Sequence, residues 1–127
     1  MRAILDTHTF LWFVNDSSQL SSTAKDLIES ETNLWISIAS LWEIAIKVSV
    51  GKLSLPRPLN DFISEHIQAN EIDILTINIS HLTKVSTLPF HHRDPFDRLL
   101  AAQALVEQVP LIGVDAVFDS YEVNRIW

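Results

Sequence analysis

The chain has 127 residues, of which 47% are hydrophobic and 20% charged, with two glycines and no cysteine. This composition is typical of an ordered domain rather than a disordered chain, so we expect one domain over residues 1–127, and the lack of cysteine excludes disulfides and thiolate metal sites. The net charge of −7, from 16 acidic residues against nine Lys and Arg, disfavours a protein that binds nucleic acid by long-range attraction alone.

The first third of the chain predicts two strands, each followed by helical sequence. Residues 2–5 form a short apolar run typical of a strand, and a helical segment is predicted over 9–14. Ser21 or Ser22 is placed to cap a second helix, whose apolar side chains show the three-and-four spacing of a buried face. The second strand is predicted near residues 34–37.

The middle of the chain is mostly apolar helical sequence. Residues 38–50 predict a buried helix in which Glu43 is the only acidic residue, and a glycine and two prolines follow it. Another helix is predicted over 59–69, a third strand over 72–77 and a short helix over 80–86.

The last third contains the best-marked helix. Asp94 stands where an N-cap is expected, and Pro95 suits the first helical position because its missing N–H costs nothing there. This helix is predicted to run through Val106, with a fourth strand over 111–114 and a fifth, at the sheet edge, over 123–126. The alternation indicates an α/β fold, which we expect to be a three-layer α/β/α domain with a central, mostly parallel sheet of about five strands.

Four acidic residues stand where a parallel sheet would bring them to one edge. Asp6 follows the first strand and Asp115 the fourth, and ligands of open α/β sheets bind at the carboxyl ends of strands. Glu43 and Asp97 lie early in helices whose N-termini face the same edge. Because clustered carboxylates repel one another unless a hard cation binds them, we expect Mg²⁺ or Mn²⁺ here rather than zinc. Such an ion can activate water for phosphodiester hydrolysis.

Several segments, in order over nearly the whole chain, resemble the PIN-domain ribonucleases, and in particular the VapC-type toxins. The segments are Leu5-Asp6-Thr7-His8, Ser37 with Ser40-Leu41-Trp42-Glu43-Ile44-Ala45-Ile46-Lys47, Gly51-Lys52-Leu53, and His92-Arg93-Asp94-Pro95-Phe96-Asp97-Arg98-Leu99-Leu100-Ala101-Ala102-Gln103-Ala104. The resemblance implies a metal-dependent endoribonuclease that hydrolyses RNA phosphodiester bonds with Mg²⁺ or Mn²⁺. It also implies the toxin role of a type II toxin–antitoxin pair, with a cognate antitoxin as partner.

The resemblance also implies roles for individual residues. The family's four catalytic and metal-binding acids fall on Asp6, Glu43, Asp97 and Asp115. Thr7 matches a polar residue that would hold a metal-bound water or a carboxylate. Many relatives carry Thr or Ser where this chain has Val114, so the orientation of Asp115 is the least determined.

Some of these acidic side chains could instead serve the fold. Asp94 is better explained as a helix cap than as a metal ligand. Asp97 could merely interact with the positive end of the helix dipole, although the family match favours catalysis. Glu43, flanked by Trp42 and Ile44, would be costly in an apolar helix unless metal-bound or paired, and an ion pair with an arginine is its alternative.

The remaining polar candidates divide in the same way. Asp115 and Asp119 are four residues apart, and we choose Asp115 as the ligand and Asp119 as a solvated loop acid. His91 and His92 are expected to be exposed loop histidines. The supporting residue Arg98 could contact RNA phosphates or screen the acids, as could Arg93, with ordinary ion pairs as an equally good account.

Partners and location can also be predicted. Trp12, Phe13, Trp35 and the helical residues 59–67 offer more apolar surface than a small core needs, so we expect a homodimer. The charge of −7 suggests that the antitoxin is basic. No signal sequence or membrane-spanning run is recognisable, so we expect a cytoplasmic protein that does not enter the membrane.

Rival functions are weaker. A haloacid-dehalogenase-type phosphatase needs a second Asp two residues after the first, where this chain has His8, and a receiver domain would need paired acids at the first strand end. The alternative from another class is a catalytically inactive PIN-fold binding module that acts only through a partner protein.

Overall fold

A computed structural model describes residues 2–30 and 33–127 and shows one five-stranded parallel sheet. The strands are β1 (Arg2–Leu5), β2 (Asn33–Ser37), β3 (Asp73–Leu75), β4 (Leu111–Ile112) and β5 (Arg125–Ile126). Their order is β3-β2-β1-β4-β5. Strands β2 and β3 therefore lie on one side of β1, and β4 and β5 lie on its other side. A crevice therefore opens between the carboxyl ends of β1 and β4, where successive connections leave in opposite directions.

Six α-helices and one 3₁₀ helix connect the described strands. They are α1 (Thr7–Val14), α2 (Ser22–Glu29), α3 (Ile38–Ser49), α4 (Leu59–Ala69), α5 (Ile79–Thr87), α6 (Pro95–Glu107) and the 3₁₀ helix Ala116–Tyr121. None of these helices in the described ranges is long and apolar enough to cross a lipid bilayer.

The core is divided by the sheet into two clusters. Within β1, Ala3 and Leu5 join the cluster that contains Phe10 and Phe62, while Ile4 joins the cluster built on α6 and the 3₁₀ helix. Alternate residues of a strand point to opposite faces, so helices cover both faces of the sheet. This arrangement confirms the predicted α/β/α fold, and the sheet is wholly parallel rather than mostly so.

Most predicted elements are confirmed, with differences at their ends. Helix α1 begins at Thr7 rather than Thr9, because the Asp6 side chain caps it. The third strand covers Asp73–Leu75 of the predicted 72–77, and among the described strands it pairs only with β2. The fourth strand ends at Ile112, two residues early.

The apolar surface does not lie where the sequence indicated. Trp12 packs against Trp127, while Phe13 and Trp35 pack against the core clusters, as do the apolar residues of α4. The prediction that these side chains are surplus to the core was therefore wrong. The large exposed apolar side chains are instead Ile38, Trp42, Ile46 and Val50 along α3, together with Ile74, Ile79, Leu82, Phe90 and Val114.

Candidate active site

Asp6 is held at the end of β1 by the start of α1. Its Oδ1 accepts the N–H of Thr9 at 2.7 Å, and the side chain is almost wholly buried. A Cβ atom built on Gly113, just beyond β4, would lie 2.5 Å from Oδ2 of Asp6. The glycine therefore leaves the space that this carboxylate occupies in the crevice between β1 and β4.

Glu43 is buried on α3 and both of its oxygens have partners. The hydroxyl of Thr7 donates to Oε1 at 2.7 Å, and Nζ of Lys47 lies 2.9 Å from Oε2. Thr7 thus holds a carboxylate, which is one of the two roles that the resemblance implied for it. An ion pair exists, as the alternative proposed, but its cation is a lysine one helical turn away rather than an arginine.

Asp97 lies in the first turn of α6, beside two other potential ligands. Asp94 caps this helix as predicted, with Oδ1 accepting the N–H groups of Phe96 and Asp97 at 2.8 and 3.3 Å. The prediction that His92 is an exposed loop histidine was wrong, because its Nε2 lies 2.9 Å from Oδ2 of Asp97 and the ring is only 30% exposed. One ligand atom from each of His92, Asp94 and Asp97 falls within 4.8 Å of the others.

The carboxylates affect one another electrostatically. Burial, together with the charges of Asp94 and Glu43, raises the pKa of Asp97 to about 6, and His92 opposes this increase. Burial also raises the pKa of Asp6, against hydrogen bonding by Thr9, and Glu43 again contributes to the increase. Glu43 therefore lies close enough to repel both Asp6 and Asp97, and a bound cation would relieve this repulsion.

Asp115 is at the same edge of the sheet but has a different environment. The residue is exposed, and its Oδ1 accepts the N–H of Val117 at 3.0 Å to cap the 3₁₀ helix. Within residues 2–30 and 33–127 it makes no hydrogen bond or ion pair with Asp6, Glu43 or Asp97. Its role as a fourth ligand stays a prediction.

Asp119, by contrast, is committed to a surface ion pair. Both of its oxygens lie 3.0 Å from the guanidinium of Arg125. This hydrogen-bonded pairing lowers the pKa of Asp119.

Arg98 does not support the site as predicted. Its side chain is buried, and it donates to the carbonyls of Val85, Leu88 and Pro89 and to the Tyr121 hydroxyl at 2.8 to 3.3 Å. These contacts fasten α6 to the last turn of α5, to the segment after it and to the 3₁₀ helix, so the guanidinium is engaged in the fold rather than directed at RNA or the acids. Arg93 is exposed, and no ion pair of its side chain appears within the described ranges.

Three residues that shape the site were not identified from the sequence. Lys47 could have been found, because a lysine four residues after a glutamate is a helical ion-pair spacing. His92 stands two residues before a helix cap, close enough to fold back on the first turn, but no sequence pattern requires it to do so. Gly113 could have been singled out because only two glycines occur in the chain.

The side chains present suit a hard divalent cation. In the described part of the chain, Oδ2 of Asp6 and Oδ1 of Asp97 accept no hydrogen bond, so both are available to a cation. The donors are carboxylate oxygens with one imidazole nitrogen nearby, a set that suits Mg²⁺ or Mn²⁺.

Comparison with known proteins agrees with this architecture. The model of the PIN domain family matches residues 3–124. The curated proteins searched contain no match to this chain.

Solved structures share the fold at low sequence identity. VapBC2 from Rickettsia felis, bound to a promoter DNA fragment, superposes with a TM-score of 0.75 at 15% identity, over 99% of this chain and 98% of that one. FitAcB from Neisseria gonorrhoeae gives 0.69 at 15% identity, covering 98% and 96%. VapBC-1 from nontypeable Haemophilus influenzae gives 0.68 at 16% identity, covering 99% and 97%.

Proposed function

The chain belongs to the PIN-domain family, and we propose that it is a metal-dependent endoribonuclease that acts as the toxin of a VapBC-type toxin–antitoxin pair. The observation that carries the enzymatic part is that the buried Glu43, at one edge of the sheet, raises the pKa of both the buried Asp6 and Asp97. Raised pKa values at Asp6 and Asp97 support it, because such shifts are frequent at catalytic and metal-binding sites.

The contacts of each side chain indicate its role in the proposed site. Asp6, Glu43 and Asp97 would hold Mg²⁺ or Mn²⁺, with Asp115 as a fourth ligand. When bound, the ion supplies an activated water and stabilises charge that develops on the phosphate. Thr7 and Lys47 fix the orientation of Glu43, and His92 fixes that of Asp97. A fixed geometry of ligands depends on such partners as much as on the ligands.

The partner is proposed from the resemblance and from the complexes of the structural neighbours. Two of the three neighbours named above are described as VapBC structures. We propose an antitoxin for this chain as well, and a basic one because the chain carries −7. The pair would act in the cytoplasm. Purification from the native operon without a small companion chain would contradict this part.

Self-association is a separate proposal. Ile79, Leu82 and Phe90 are 79%, 52% and 86% exposed, which is unusual for large apolar side chains and favours a homodimer. Light scattering of wild type and Ile79→Glu tests it. A wild-type chain that stays monomeric at working concentration would show that this surface does not mediate dimerisation.

The nuclease proposal is tested with a mixed cellular RNA pool, incubated with the purified chain in Mg²⁺, in Mn²⁺ and in EDTA. The matched variants are Asp97→Asn and Asp61→Asn, since both acids occupy the third position of a helix but Asp61 is exposed on α4. We expect metal-dependent cleavage by wild type and Asp61→Asn and none by Asp97→Asn. Equal cleavage by all three would point to contamination or to a role in binding only.

A further inference from the structure

A groove of about 430 Å³ adjoins Glu43, between the end of α3 and the start of α6. Its walls carry the cations Lys47, Lys52 and Arg93 and the apolar side chains Ile46, Val50 and Phe96. Two acids, Glu43 and Asp94, complete its charged lining, so the groove is net positive on a chain of net charge −7. This sign is opposite to that of the protein as a whole.

The cations of the groove are also the available ones. In the described chain, five of the nine Lys and Arg side chains form ion pairs with acids, and Arg98 is bonded to carbonyls. That leaves Lys52, Lys84 and Arg93 without a partner in residues 2–30 and 33–127. Two of these three line the groove, beside the proposed cleavage site. An unpaired cation is free to bind a phosphate without first breaking an ion pair.

The apolar part of the groove offers a surface for bases. The Phe96 ring packs edge-on against Trp42, with ring centroids 5.1 Å apart, and Trp42 is 59% exposed. Val50 is 60% exposed and Ile46 is 38% exposed. Proteins that bind single-stranded nucleic acid combine cations along the backbone with aromatic side chains on which bases stack. In double-stranded RNA the bases are stacked inside the helix and could not lie against this apolar surface.

We propose that this groove binds single-stranded RNA adjacent to the scissile phosphate. Lys52 and Arg93 contact phosphates, and an unpaired base lies against Phe96 and its apolar neighbours. Lys47 remains bound to Glu43 and contributes only its charge. The inference rests on the proposed ribonuclease function and deepens it, because it assigns the groove and the residues that hold the substrate beside the cleavage site.

The test is fluorescence anisotropy with a labelled, mixed-sequence single-stranded RNA in Mg²⁺, measured over a series of salt concentrations. Asp97→Asn serves as the background so that the RNA is not cut. Log affinity falls linearly with log salt, and each lost phosphate contact on a single strand makes this slope less steep by about 0.7. Adding Lys52→Ala and Arg93→Ala together should make the slope less steep by about 1.4. Over a roughly tenfold increase in salt, the double variant should therefore lose about 25-fold less affinity than the background does.

Two further variants complete the design. Lys84→Ala removes the third unpaired cation, which lies outside the groove, and should leave affinity and slope unchanged. Phe96→Ala should lower affinity by roughly 5- to 150-fold with the slope retained, because it removes stacking rather than charge. Urea midpoints equal to that of the background establish that the variants are folded.

The outcomes separate this inference from the ribonuclease proposal. If wild type cleaves RNA but the double variant binds as tightly as Lys84→Ala, the groove does not bind RNA and only this inference is wrong. Such a result would leave the groove to a protein partner. If wild type does not cleave, yet the background binds RNA with the expected losses, the groove assignment holds and the nuclease proposal is wrong. Absence of any RNA binding by the background would overturn the groove assignment.

Discussion

Asp97→Asn is expected to stabilise the metal-free protein at neutral pH while it removes a proposed ligand. Asp97 is partly buried beside Asp94 and Glu43, which disfavours its charge, and its carboxylate accepts no backbone N–H in the described chain. Asparagine has nearly the same shape and can still accept a hydrogen bond from His92. The substitution therefore removes the charge conflict and leaves the local packing.

The magnitude follows from the pKa of the group. A rise from 3.8 to about 6 corresponds to about 3 kcal/mol, at about 1.4 kcal/mol per pKa unit. Because the Asp97 side chain is 23% exposed, solvent reduces this cost of burying and crowding the charge, and we expect a gain of about 1 to 3 kcal/mol. For a domain of this size the gain amounts to roughly 4 to 12 °C in Tm.

The sign depends on pH. Between pH 3.8 and about 6 the folded state holds a proton on Asp97 that the unfolded state has lost, so wild-type stability falls as the pH rises through this window. Below it, both states are protonated and the difference between wild type and variant should vanish. Urea denaturation in EDTA, at about pH 3.5 and at about pH 7.5, measures both limits.

Asp61→Asn is the matched control. Asp61 occupies the same position in the first turn of α4 but is exposed, so loss of its charge should cost a few tenths of a kcal/mol through the helix dipole. If Asp97→Asn in EDTA at about pH 7.5 is no more stable than wild type, burial and the neighbouring carboxylates do not disfavour the charge of Asp97, and there is no electrostatic reason to expect a cation beside it.

Three other substitutions test separate parts of the site. Gly113→Ala puts a Cβ 2.5 Å from Oδ2 of Asp6, so the carboxylate must move, and calorimetry should show Mg²⁺ affinity about 10- to 100-fold lower. Thr7→Val removes the donor to Glu43, which should lower Mg²⁺ affinity to a similar degree and cost about 1 kcal/mol of stability in urea unfolding. Arg98→Lys loses the forked contacts to buried carbonyls and should destabilise the fold by about 2 to 4 kcal/mol, with RNA affinity of the folded protein unchanged.

Each of these has a control in the same chain. Val114→Ala adds no atom near Asp6 and should bind Mg²⁺ as wild type does, so equal affinity in Gly113→Ala would mean that Asp6 is not a ligand. Thr83→Val removes an exposed helical hydroxyl and should leave metal affinity intact. Arg57→Lys changes an exposed arginine, and a comparable loss of stability there would contradict the structural role of Arg98.

The helices and strands were predictable because the spacing of apolar residues in the sequence matches the buried face of each element. The run 59–69 has a helical pattern and forms α4, and Asp94 with Pro95 marks the start of α6. The order of the strands was less accessible, since β1 has neighbours far away in sequence on both sides. Strand ends also depend on partners, since β3 is shorter than its apolar run and has β2 as its one partner among the described strands.

The site was predictable in its acids and not in their neighbours. Asp6 and Glu43 stand out because a charge next to apolar sequence requires an explanation. The contact of His92 with Asp97 depends on how a loop folds back on the first turn of α6, which no residue pattern encodes. The burial of Arg98 depends likewise on where the chain after α5 passes. From the sequence alone, an arginine next to the proposed ligand Asp97 was interpreted as part of the site.

The carboxylates of Asp6, Glu43 and Asp97 have different partners, and these partners determine which negative charge destabilises the fold most. Asp6 serves as a helix cap with one oxygen, so a backbone N–H compensates part of the cost of burying it. Glu43 has a hydroxyl and an ammonium group as partners. In the described chain Asp97 has only an imidazole as partner, while its burial and two nearby carboxylates raise its pKa. The conflict that a cation would relieve is therefore concentrated at Asp97, and loss of charge there, rather than at Asp6, should register as a gain in stability.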